Sequence, residues 1–219
     1  IKITECPRDA MQGIKKWIPT EDKIGYLQNL LKVGFDTLDC GSFVSSKFIP
    51  QLKDTGEVVR SLDLSSTKTK LLVIIANLRG AEIACNYDQV NYLGFPFSIS
   101  ENFQIRNVNK TIKESISELH LIADKVNKTN KELIVYLSMG FGNPYGDPWS
   151  SSIVSYWCEK LSYLGVKKIS LSDTVGTAKN EDISSIFNTL IPEFSDISFG
   201  AHFHTTLKNW YNKVDAAYS

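Results

Sequence analysis

No apolar run in this 219-residue sequence reaches the ~18 residues needed to span a bilayer, and its first residues lack the charged-then-apolar pattern of an export signal. The expectation is a soluble, cytoplasmic protein without a membrane partner. Net charge is also missing. The 24 Lys and Arg offset the 24 Asp and Glu, so no global field gathers nucleic acid or another polyanion, and recognition must be local. Cysteine is sparse: Cys6, Cys40, Cys85 and Cys158 show no CxxC spacing and stand among apolar residues. That pattern disfavours a disulfide framework or a zinc site and points to packed, reduced thiols. Also absent is a glycine fingerprint after the first apolar run, where Glu5-Cys6-Pro7-Arg8-Asp9 puts charge in place of the bare backbone that a pyrophosphate needs.

What is there is an alternation. Short apolar runs at Ile1 to Cys6, Phe35 to Phe43, Leu71 to Asn77, Val90 to Phe97, Leu133 to Met139, Lys168 to Ser172 and Ile197 to His204 are seven candidate strands. Between them lie segments of helical period, such as Ile112, Ile116, Leu119 and Val126, and Ile153, Trp157, Leu161 and Leu164. One helix is expected from an N-cap at Thr20 to Gly34, and another from the serines at 150 to 152 to Gly165. Strand then helix with short connections implies a parallel sheet, because parallel neighbours need a crossover. The expected fold is a TIM (β/α)8 barrel forming a single catalytic domain over 1–219, with an open doubly wound sheet as the rival. A complete barrel needs an eighth strand, so this one reads as truncated after the helix Lys208 to Tyr218. The strand-like opening at Ile1 suggests that a few residues precede it.

Charge collects where a barrel keeps its chemistry, at the C-terminal strand ends. Strand one ends in Arg8-Asp9, strand two carries Asp39, strand six ends in Ser172-Asp173-Thr174, and strand seven ends in His202-Phe203-His204. Residues two apart on a strand face the same side, so His202 and His204 project into one space, either as metal ligands or as a hydrogen-bonded pair. Asp9 adds a hard oxygen and completes a two-histidine, one-carboxylate set. Arg8 is a structural partner of Asp9 or Asp39, or a fixed cation for developing oxyanion charge. Asp173 is a general base, an orienter of a histidine, or the cap of a turn. His120 reads as a surface or packing residue. Gly140 to Gly146 contains Pro144 and lacks a following Lys-Ser/Thr pair, so a rigid loop is expected there and not a phosphate loop.

In combination these motifs resemble a known family. Glu5-Cys6-Pro7-Arg8-Asp9-Ala10-Met11-Gln12 is similar to the GPRDGLQ signature of the 3-hydroxy-3-methylglutaryl-CoA lyases. Ser42 to Lys47 resembles their SFVSPK, Asn77 to Gly80 their NLKG, Ser170 to Gly176 their SLGDTIG, and His202-Phe203-His204 their metal-binding HxH. The resemblance implies retro-Claisen cleavage of an acyl-CoA substrate to acetyl-CoA and acetoacetate, as in leucine degradation, with room for a homodimer. It further implies Mg or Mn held by Asp9, His202 and His204, with Arg8 on the enolate oxygen, Asp173 taking the hydroxyl proton, and Gln12 and Asp39 shaping the pocket. The sequence departs from the pattern at Thr205, where a carboxylate is usual, at Asp39 for glutamate, and at Ala10 and Ser172 for glycines. The asparagine ligand and reactive cysteine that the family carries beyond strand eight have no counterpart here, which implies little activity and low stability if nothing follows. Rival readings are a condensing enzyme of the 2-isopropylmalate or homocitrate synthase type and a non-catalytic metal-binding barrel. A non-haem iron oxygenase shares the ligand types, but its usual order is HxD followed by a distant histidine.

Overall fold

A computed structural model describes residues 1–219. Its elements are β1 (Thr4–Glu5), α1 (Pro7–Gln12), α2 (Thr20–Leu31), β2 (Thr37–Ser42), α3 (Thr55–Ser61), β3 (Lys70–Ile74), α4 (Leu78–Cys85), β4 (Val90–Ser98), α5 (Glu101–Val108), α6 (Ile112–Val126), β5 (Glu132–Ser138), α7 (Ser151–Tyr163), β6 (Lys168–Asp173), α8 (Asn180–Glu193), β7 (Ser198–Phe203) and α9 (Trp210–Tyr218). The strands lie in sequence order β1 to β7 in one sheet, with parallel pairing throughout the registered pairs. A doubly wound sheet would reverse its order at a switch point. Strictly sequential order with a helix after each strand is the TIM-barrel arrangement through its seventh strand. No helix is long and apolar enough to cross a membrane.

Two compact units can be distinguished. The first comprises Ile1–Phe95 and Asp124–Glu132. All six residues of β2 are buried, as expected for a strand covered on both faces, and the core around them includes Leu38, Leu71, Leu72, Val73 and Leu93. Gly41 is required there, because a Cβ would lie 2.5 Å from Cγ2 of Thr55. Thr55 cannot retreat, since its Oγ1 accepts from Ser42 N at 3.0 Å and donates to Leu52 O at 2.8 Å. Lys131 closes the unit by donating from Nζ to Tyr87 O and Val90 O at 2.7 and 2.8 Å. The expected Thr20 cap is not made: Pro19 occupies the N-cap, and Thr20 Oγ1 donates instead to Asp54 Oδ2 at 2.9 Å. Thr20 falls one residue inside the helix, past the N-cap position from which a hydroxyl accepts a first-turn N–H.

The second unit comprises Pro96–Ala123 and Leu133–Ser219, with Leu119, Ile122, Val135, Leu137, Val154, Cys158, Leu161 and Leu171 in its core. Ser150 caps α7 by accepting from Ile153 N at 3.2 Å, and Gly165 leaves the helix end with φ +80°. The loop after β5 is tied down: Asn143 Oδ1 accepts from Tyr145 N and Asp147 N at 3.0 and 3.1 Å, and Trp149 Nε1 donates to Gly140 O at 3.1 Å. Asp147 in turn accepts from Ser100 Oγ and from Asn102 N. The Ser100 hydrogen bond, with those of Asn102, holds its carboxyl below the usual carboxylate range. Its folded form therefore binds a proton less readily than its unfolded form. The stabilisation is present above the ordinary value of ~3.9 and is lost as pH falls through the lower folded value. Asp147→Asn should flatten that acid limb of stability, measured as melting temperature between pH 6 and pH 3; an unaltered limb would remove Asp147 from acid unfolding.

Candidate functional site

In the first unit the chain turns from β1 into α1 at Cys6, with Pro7 supplying the fixed φ and missing N–H that a first helical turn tolerates. Arg8 and Asp9 follow, the acid standing where a helix N-terminus favours negative charge. Arg8 is 8% exposed and gathers every other residue that the sequence marked in this unit. Its Nη2 donates to Asp39 Oδ2 at 2.7 Å and its Nε to the same carboxylate at 3.1 and 3.2 Å, a bidentate fork on a side chain only 1% exposed. Its Nη1 donates to Asp9 Oδ1 at 3.1 Å and to Gln12 Oε1 at 2.8 Å. The structural-partner alternative for Arg8 therefore holds for both aspartates at once. A cation fixed by two carboxylates and an amide is also one that needs no reorganisation to meet developing negative charge.

In the second unit β6 pairs with β7 so that Ser172 lies opposite His202 and Asp173 opposite Phe203. His202 and His204 turn to the same side, their rings 5.3 Å apart at 66°, with Tyr136 edge-on to His202 at 5.6 Å. His202 is half-buried and His204 exposed. Asp173 is 2% exposed; its Oδ1 accepts from Ala178 N at 3.1 Å and its Oδ2 from Lys213 Nζ at 2.5 Å. The turn-closing alternative for Asp173 is thus realised, together with an ion pair that the sequence did not announce. His120 is exposed on α6.

His202 and His204 present two imidazoles together at the end of β7, and Asp9 presents a carboxylate just past β1. Two imidazoles and a carboxylate form a donor set suited to a divalent cation with coordination positions to spare. Lys213 is what sequence reasoning missed. On α9 the apolar residues Trp210, Tyr211, Val214 and Tyr218 are exposed while Lys213 is buried, the reverse of what amphipathic patterning predicts.

The thiols stay out of the chemistry. Burial, followed by the charge of Asp39, pushes Cys6 up to about 12. Burial, followed by Glu193, pushes Cys158 up to about 12. Cys40 and Cys85 are raised as well, chiefly by burial. All four are free. Because the thiolate is the nucleophile, iodoacetamide at pH 8 should leave Cys6 and Cys158 unmodified until the protein is denatured, as read by peptide mass. Rapid labelling of folded Cys6 would contradict this environment.

The HMGL-like family model matches residues 2–208. The hydroxymethylglutaryl-CoA lyase YngG of Bacillus subtilis is 32% identical over 91% of this chain and 66% of its own length. The mitochondrial hydroxymethylglutaryl-CoA lyase of Arabidopsis thaliana is 30% identical over 94% of this chain and 44% of its own. The chain thus spans about half to two thirds of these curated relatives. Among solved structures, the Bacillus subtilis HMG-CoA lyase superposes with a TM-score of 0.90 at 30% identity, covering 99% of this chain and 72% of that one. An HMG-CoA lyase from Acinetobacter baumannii, in complex with coenzyme A and 3-methylmalate, gives 0.88 at 31%, covering 99% and 70%.

Proposed function

The chain belongs to the HMGL-like family, and on that premise we propose that the protein cleaves 3-hydroxy-3-methylglutaryl-CoA to acetyl-CoA and acetoacetate, using Mg or Mn held by Asp9, His202 and His204. What supports this reading is the match of residues 2–208 to the HMGL-like family model together with the paired imidazoles of His202 and His204. When bound, the cation supplies a template and a Lewis acid for the oxygens of the substrate.

The chain's own residues supply the rest. Asp173 takes the proton of the tertiary hydroxyl, whose O–H electron pair becomes the carbonyl of acetoacetate while the breaking carbon–carbon bond leaves its pair on the thioester enolate. Arg8, rigid between Asp39 and Gln12, faces the enolate oxygen with a fixed positive charge. Gln12 and Asp39 act by holding that guanidinium and bounding the pocket. The coenzyme A complex of the Acinetobacter baumannii relative supports an acyl-CoA substrate.

The test is release of acetyl-CoA from 3-hydroxy-3-methylglutaryl-CoA by protein expressed from the complete gene, with Mg or Mn added. Metal-dependent cleavage is expected. No cleavage by a folded, metal-loaded protein would overturn the reading and favour a related condensing enzyme. Within that assay, Asp173→Asn should keep its metal while kcat falls ~10²–10⁴-fold, the usual contribution of a positioned base. Near-normal turnover would remove Asp173 from the mechanism.

A further inference from the structure

Lys213 is 3% exposed, and a buried lysine needs partners that repay its lost hydration. It has two. Its Nζ donates to Asp173 Oδ2 at 2.5 Å and to the main-chain oxygen of Gly176 at 2.9 Å. One ammonium therefore clamps both ends of the turn from Asp173 to Gly176.

That same turn carries the backbone of the second histidine. The main-chain oxygen of Asp173 accepts from Gly176 N at 3.1 Å and from His204 N at 3.4 Å. On its other side, Gly176 approaches His204 so closely that an added Cβ would stand 3.0 Å from the His204 oxygen, and its φ of +74° suits glycine alone. His204 lies just past the end of β7, beyond the ladder that fixes His202 opposite Ser172. Its main-chain hydrogen bond to the strand neighbour thus goes to a turn held by Lys213.

We propose that Lys213 is a positioning residue for the metal-binding pair, fixing the 173–176 turn against which His204 is set. The inference rests on the reading of His204 as a ligand. Lys213 touches neither reacting atoms nor cation in this role; it acts through Asp173 and Gly176. Partners that orient ligands in this way typically contribute ~10–100-fold to metal affinity.

The experiment is Mn²⁺ titration of the full-length protein, with free Mn²⁺ followed by electron paramagnetic resonance and the apo-protein melting temperature recorded alongside. Lys213→Met should weaken Mn²⁺ binding ~10-fold or more, and Lys213→Arg, which can donate to both oxygens, should recover most of it. Because Lys213→Met strands a buried carboxylate, Asp173→Asn/Lys213→Met provides a second variant in which both charges leave together, and it should show the same weakened binding. Unchanged Mn²⁺ affinity in a folded variant, even with a lowered melting temperature, overturns the proposal and leaves Lys213 a stabilising residue only. A loss that Lys213→Arg fails to recover also overturns it. Wild-type protein that binds no Mn²⁺ fails at the earlier step and removes the metal reading itself.

Discussion

Replacing His204 with alanine is expected to abolish the proposed binding of Mg or Mn and, with it, the proposed acyl-CoA cleavage. His204 is one of the two imidazoles presented together at the end of β7, so losing it leaves a single imidazole for the proposed cation. Disturbing a mere orienting partner costs ~10–100-fold in affinity, and removing a ligand outright should exceed that range. His204 is exposed, so no cavity forms and the fold should survive the change. Loss of metal with an unchanged melting temperature for the apo-protein is the expected pair of results. A folded variant that still binds one equivalent of metal would reject His204 as a ligand.

Arg8→Met should produce the largest loss of stability. The substitution removes the guanidinium from Asp39, whose side chain is 1% exposed and receives both Nε and Nη2. Breaking one partner of a buried pair typically costs ~3–5 kcal/mol, because the remaining charge is uncompensated. Urea unfolding should show that loss, and Arg8→Met/Asp39→Asn should recover much of it, since a neutral amide is far less costly to bury. A loss below ~1 kcal/mol, the range of exposed pairs, would mean that water reaches Asp39. In the proposed reaction the same variant also removes a cation facing the enolate oxygen, where one such group is worth ~10²–10³ in kcat.

Much of the frame was legible because parallel strands covered on both faces read as continuous apolar runs. All seven runs fall on strands, and Ser150 and Gly165 punctuate α7 as their chemistry requires. Side-chain orientation was less legible. The fully buried face of α7 is Val154, Cys158 and Leu161, so of the expected stripe of Ile153, Trp157, Leu161 and Leu164 only Leu161 lies on it. Trp157 flanks the core, its ring 5.1 Å from Phe97. A large ring covers surface from the edge of a helix, so periodicity weighted by size is drawn towards it. Among the candidate site residues, type and spacing at strand ends marked Arg8, Asp9, Asp39, Asp173 and the histidines. Pairing did not follow from them: nothing in the spacing from His204 to Lys213 signals that an ammonium on α9 reaches back to β6. Such long-range ion pairs leave no periodic trace.

The contact between Gly41 and Thr55 has a consequence for how this sequence can change over generations. Position 41 admits nothing larger than hydrogen while threonine stands at 55, and at 55 only serine could replace threonine and keep the hydroxyl that accepts from Ser42 N and donates to Leu52 O. Each position vetoes drift at the other. The pair should behave as one heritable unit, intolerant of single substitutions that enlarge position 41 or remove the hydroxyl at 55.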